Sequence, residues 1–165
     1  MKKGYLLILL ALILSSCGSS RRTQNTVIIG DKDISVSARK ASKVVTHALS
    51  FEGTRYKYGG TDKRGMDCSG LVYTSFQKEN IALPRVSRDM AKKGIRIKLN
   101  DIEEGDLLFF QTNKNRKVIN HVGLVVENQK GEVRFIHSTT SRGVIISSLL
   151  ESYWKSAFVE VRRII

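Results

Sequence analysis

Three residues of this chain have the types and the order needed for thiol chemistry: Cys68, His121 and His137. Cys68 lies in Asp67-Cys68-Ser69-Gly70, directly before the apolar run Leu71-Val72-Tyr73-Thr74-Ser75-Phe76. That pattern opens a helix at the cysteine, with Asp67 as its N-cap. A helix N-terminus carries partial positive charge, which favours thiolate over thiol and is expected to lower the cysteine pKa. A sulfur nucleophile needs an imidazole to take and return its proton, and a polar group to hold that imidazole in one tautomer. The order Cys…His…polar residue supplies Cys68 as nucleophile, His121 as base and His137 as orienter. His47 sits inside a helical pattern and reads as an ordinary helix residue.

The two downstream histidines come together through a hairpin. The segments around His121 and His137 flank Glu127-Asn128-Gln129-Lys130-Gly131, which reads as their turn. A turn centred on Gln129 sets His121 opposite His137, with Cβ atoms about 5 Å apart. The same register sets Gly123 opposite Phe135, where a glycine leaves room for the ring, and Val125 opposite Val133. His121 is the better base because it follows a loop and starts its strand.

The elements that must position these groups change type along the chain. Ser37 to Phe51 has helical spacing of Ala38, Ala41, Val44, Val45, Ala48 and Leu49, with Ser37 as N-cap. Thr54 to Gly65 is a glycine-rich loop, Asp67 to Asn80 the second helix, and Ser87 to Lys93 a short third helix after Pro84. Strands are expected over Asp106–Gln111, Val118–Val126, Glu132–Ser138, Gly143–Ser147 and Phe158–Ile164. Helices first and an antiparallel sheet second make an α+β domain, residues 38–165, of a size that suits one core.

The N-terminus reads as an export signal, residues 1–16. Lys2 and Lys3 precede an apolar run from Tyr5 to Leu14, about ten residues, too short for the roughly 20 of a membrane-spanning helix. Leu14-Ser15-Ser16-Cys17 resembles the bacterial lipobox, in which the cysteine is lipidated and becomes the first residue of the mature chain. Residues 17–37 then hold the lipidated Cys17 and a polar tether, spanning about 25 Å if flexible. Of the two cysteines, one is thus acylated and Cys68 remains a free thiol, so no disulfide is expected. The formal net charge of +13 is scattered along the chain rather than gathered on one helix. An exported lipoprotein meets anionic headgroups or cell-wall polymer rather than nucleic acid.

Six strings in order resemble the NlpC-type family of bacterial cell-wall cysteine peptidases over about Ala41 to Ile165. They are Tyr56-Lys57-Tyr58-Gly59-Gly60, Asp67-Cys68-Ser69-Gly70-Leu71-Val72, Leu83-Pro84-Arg85-Val86-Ser87, Gly105-Asp106-Leu107-Leu108-Phe109-Phe110, His121-Val122-Gly123-Leu124-Val125 and Ile136-His137-Ser138. The resemblance implies a papain-like domain, N-terminal helices packed on an antiparallel sheet, that hydrolyses amide bonds in peptidoglycan stem peptides. The usual bond joins D-glutamate, through its γ-carboxyl, to a diamino acid. By motif position Cys68, His121 and His137 match the catalytic residues, and Tyr56 matches a tyrosine that lines the site and helps hold the oxyanion. Asp67 and Ser69 match positions that bind a stem-peptide amine in some relatives, and Arg85 and Ser87 are placed in the substrate cleft. A monomer is expected, held by Cys17 in the cell envelope, on the periplasmic side of the outer membrane.

Two other functions stay open at this point. One is a thiol amidase or acyltransferase on another substrate; the other is a non-catalytic wall-binding lipoprotein. No cofactor is expected. No Cys-x-x-Cys or His-x-x-x-His spacing offers a metal site, and Gly59-Gly60 lacks the lysine–serine ending of a phosphate loop.

Overall fold

Four consecutive apolar residues, Leu107-Leu108-Phe109-Phe110, form a strand whose every side chain is buried. Successive strand residues point to opposite faces, so a strand with no polar partner in its alternation must be covered on both. Leu107 and Phe109 join one cluster with Val44, Ala48, Leu71, Val72 and Phe76 of the helices. Leu108 and Phe110 join a second with Phe135, Leu149, Trp154 and Val161. The central strand therefore carries a core on each side.

The computed structural model describes residues 29–113, 115 and 117–165. The elements in order are α1 (Ile29–Leu49), β1 (Thr61–Asp62), β2 (Gly65–Met66), α2 (Cys68–Gln77), α3 (Ser87–Met90), β3 (Ile95–Ile97), a 3₁₀ turn (Leu99–Asp101) and β4 (Leu107–Phe110). There follow β5 (His121–Gln129), β6 (Glu132–Thr139), β7 (Gly143–Ser148), α4 (Ser152–Ala157) and β8 (Phe158–Arg163). Among the described residues, β3-β8-β4-β5-β6-β7 form one antiparallel sheet. The α+β architecture is the one expected, and the five expected strands are all present within a few residues of their predicted ends.

α1 begins at Ile29 rather than at a Ser37 cap. Residues 29–37 of the segment assigned to a flexible tether are therefore helical; the signal, Cys17 and residues 18–28 lie outside the described residues. His47, on the same helix, places Nε2 3.0 Å from Glu79 Oε1 and so ties α1 to the end of α2. The sequence did not anticipate strands β1 and β2, the edge strand β3, the 3₁₀ turn or the six-residue α4.

The hairpin register differs from the expected one. Strands run to Gln129 and resume at Glu132, leaving Lys130 and Gly131 as a two-residue turn, both with positive φ (51° and 89°), the geometry of a type I′ hairpin. From that turn a regular ladder over this length of chain would put His121 and His137 on opposite faces. A bulge prevents this. Val125 pairs with Phe135 and Glu127 with Arg134, so Val126 has no opposite number. The extra residue restores the phase, and His121, Gly123, Val125, Phe135 and His137 share one face. The expected side of the sheet is thus correct although the pairing is two residues out. Gly123 does accommodate Phe135: a Cβ there would lie 2.4 Å from a ring carbon.

Candidate active site

Asp67 builds the turn that presents Cys68. One of its carboxylate oxygens accepts from the Gly70 N–H at 2.6 Å, which is the predicted N-cap bond, and the other accepts from the Gly59 N–H at 2.7 Å. Arg85 clamps the same carboxylate through both terminal nitrogens, each at 2.9 Å, and donates to the Ser69 hydroxyl at 2.8 Å. Burial alone would raise the Asp67 pKa. The Arg85 guanidinium and the Gly70 and Gly59 N–H groups outweigh it and hold the carboxyl below its ordinary value. Gly70 must be glycine here, since a Cβ would sit 2.0 Å from the Gly60 carbonyl oxygen. Asp67 and Ser69 are thus engaged by Arg85 and the helix start.

The nucleophile's turn and the histidine hairpin are fastened together. The buried Ser138 hydroxyl donates to the Met66 carbonyl at 2.8 Å, joining the residue after His137 to the one before Asp67. α2 packs on β5 and β6. The Cys68 sulfur faces the N–H of Val122, the residue that follows His121 at the head of β5. His121 Nε2 is 3.0 Å from His137 Nδ1, and His137 Nε2 is 3.1 Å from the Ser147 hydroxyl. The structure thus brings His121 and His137 into contact and sets Cys68 against the residue that follows His121. Tyr56 is half-buried and pairs with Met66 in an isolated bridge. Its pKa is raised by burial and by the nearby Asp67 and Cys68 charges, which keeps its O–H a donor beside the sulfur. Ser87 is buried at the first residue of α3, and no hydrogen bond joins its side chain to Cys68 or the histidines.

Sequence reasoning missed the roof of the site. Trp154 of α4 stacks on His121 (centroids 5.3 Å, interplanar angle 21°) and meets His137 edge-on at 4.6 Å. A six-residue helix shows too little periodicity to be found in advance, and a lone tryptophan reads as core. Ser147 is likewise an unremarkable serine in a strand until its partner is seen.

The electrostatics correct one expectation. The Cys68 pKa is raised, not lowered: burial disfavours the thiolate and the Asp67 carboxylate adds repulsion, against which the N–H groups of Val122, Ser69 and Cys68 work in the other direction. The cap that orders the helix start thus offsets the favourable charge of the helix end. Burial also lowers the imidazoles, His121 to about 4 and His137, which also feels His121 and Arg142, to about 2. The resting pair is a thiol and a neutral imidazole. Alkylation of Cys68 by iodoacetamide should accordingly climb through the alkaline range. A plateau across about pH 5 to 8, the behaviour of a preformed thiolate–imidazolium pair, would contradict this.

Among the described residues no cluster of His, Cys, Asp and Glu is arranged to hold a metal ion. None of the helices described is long and apolar enough to cross a membrane.

Comparison with known proteins agrees with this geometry. Residues 53–163 match the model of the NlpC/P60 family. The chain is 30% identical over 180 residues to a protein of Escherichia coli (strain K12) named murein DD-endopeptidase MepS/murein LD-carboxypeptidase, covering 99% of this chain and 92% of that one. It is 35% identical over 133 residues to a gamma-D-glutamyl-L-lysine dipeptidyl-peptidase of Bacillus subtilis (strain 168), covering 79% of this chain and 44% of the relative. An NlpC/P60 family protein from Bacillus cereus superposes with a TM-score of 0.68 at 27% identity, covering 74% of this chain and 39% of that longer one. With the family pattern spanning two thirds of its length and the fold in agreement, the chain belongs to the NlpC/P60 family.

Proposed function

We propose that this protein is a cysteine endopeptidase of peptidoglycan stem peptides, anchored in the bacterial cell envelope through a lipidated Cys17. The observation that carries the reading is the His121–His137 contact of 3.0 Å beside a free, helix-starting Cys68. In this reading Cys68 Sγ attacks the scissile carbonyl while His121 takes the thiol proton, so charge develops only as the bond forms. The Cys68 backbone N–H and the Tyr56 hydroxyl are the donors for the oxyanion. His121 then returns the proton to the leaving amine, and water, activated by the same imidazole, releases the thioester. His137 holds His121 throughout. Asp67, Ser69 and Ser87 border the substrate side of the cleft, where Asp67 and Ser69 would meet a stem-peptide amine only in competition with Arg85.

The bond proposed is the one between D-glutamate, through its γ-carboxyl, and the diamino acid. The relative named for gamma-D-glutamyl-L-lysine cleavage supports it. The end-to-end match to a protein named a murein DD-endopeptidase favours a second bond, the D-alanyl crosslink between stems. Mass spectrometry of defined linear and crosslinked muropeptides, incubated with the protein and its Cys68→Ala variant, separates them. Cleavage after D-glutamate by the wild type alone supports the first, and separation of crosslinked stems the second. Turnover of neither, with Cys68 still alkylated at high pH, would move the assignment to another amide or acyl substrate. The intact mass of the protein from bacterial membranes tests the anchor: an unprocessed or unacylated N-terminus would refute it.

A further inference from the structure

The residue next to the histidine pair bears on which of its nitrogens can act. A neutral imidazole has one N–H and one lone pair, so a chain of two imidazoles and a hydroxyl can be ordered in two ways. In one, Ser147 Oγ accepts from His137 Nε2–H, His137 Nδ1 accepts from His121 Nε2–H, and His121 Nδ1 is left with its lone pair. In the other every bond is reversed and His121 Nδ1 already carries a proton. Nε2 of His121 is occupied by His137, so Nδ1 is the one ring nitrogen left for the thiol. Only the first order makes His121 a base.

Resting on the peptidase reading above, we infer that Ser147 is a positioning residue: by offering His137 Nε2–H a buried acceptor at the closed end of the chain, it permits the order that leaves His121 Nδ1 free to take the Cys68 proton. The placement is built into the sheet. Ser147 pairs with Phe135 and His137 with Ile145, which makes Ser147 the diagonal neighbour of His137 on the same face. Ser147 is 5% exposed and His137 fully buried, so water does not compete for the 3.1 Å contact. A hydroxyl suits this position better than a carboxylate would. A carboxylate would draw a proton onto His137 and charge the pair, whereas serine orders it while leaving it neutral.

The test is the tautomeric state itself, read by long-range ¹H–¹⁵N correlation on the ¹⁵N-histidine-labelled protein. His137 and His121 should both appear as Nε2–H tautomers in the wild type, and Nδ1–H on either would overturn the assignment before any variant is made. Ser147→Ala should populate the other tautomer of His137 and lower kcat by about 10–100-fold, the usual scale for losing a group that orients another, with KM unchanged. Ser147→Thr, which keeps the hydroxyl, should restore the wild-type tautomer and most of kcat. Wild-type tautomers and kcat in Ser147→Ala would refute the role, as would equal losses in both variants. The spectra do not depend on the substrate, so a wrong substrate leaves the tautomer result standing.

Discussion

Turnover of the cleaved muropeptide should fall by about four orders of magnitude in His137→Ala, with KM little changed. Losing the group that fixes a catalytic imidazole's tautomer costs on that scale in a serine protease. The reasoning is local. His121 Nε2 has His137 Nδ1 as its partner at 3.0 Å, in a site where His121 is 9% exposed and His137 not at all. Without that partner the ring is free to turn, and its Nε2–H is a buried donor left unpaired. His137→Asn, which can still offer an oxygen, should recover part of the loss. A fall of less than about tenfold in His137→Ala would mean that Trp154, stacked on His121 at 5.3 Å, suffices to hold the ring, and that His137 is dispensable.

The largest effect on stability is expected at Asp106, far from the chemistry. Its carboxylate is 1% exposed, takes two bonds from Arg163 at 2.8 and 2.9 Å, and accepts from the Glu103 N–H at 2.8 Å. This pair joins the entry of β4 to the end of β8. Asp106→Ala removes two bonds from Arg163, which keeps Glu103 and the Asp101 carbonyl, and leaves the Glu103 N–H unpaired, a loss of about 2–3 kcal/mol. Urea denaturation followed by circular dichroism measures it. The replacement Asp106→Ala with Arg163→Met should recover part of the loss by removing a cation that has lost its buried partner. A single variant within about 1 kcal/mol of wild type would mean that Arg163, partly open to solvent, is adequately served by Glu103 and the Asp101 carbonyl.

What the sequence made legible was what is local or periodic. Asp67 and Cys68 at a helix start, the apolar strand segments of β4 to β8, and two histidines on one hairpin are all written in neighbouring residues. The bulge at Val126 was not, because it is set by the two-residue turn at Lys130-Gly131 against the phase the core demands, a conflict visible only when both are known. Nor was the clamp of Arg85 on Asp67, since nothing in either segment announces the other. The direction of the Cys68 pKa was misjudged for the same reason: the helix end is local, but the burial that outweighs it is tertiary. The early start of α1 was not legible because Ile29 to Val36 holds too few apolar residues to show a period.

The bond from the Ser138 hydroxyl to the Met66 carbonyl spans 72 residues of chain, and it bears on how the enzyme comes into being. Cys68 belongs to the first half of the described domain; its proposed base, orienter and roof arrive with β5, β6 and α4. Contacts of such sequence separation close late, after their loops have been drawn in. A chain still emerging from the ribosome before β5 and β6 are made therefore carries a thiol without its proposed base. In the proposed reading competence therefore follows assembly of the sheet, and the domain guards itself during biosynthesis.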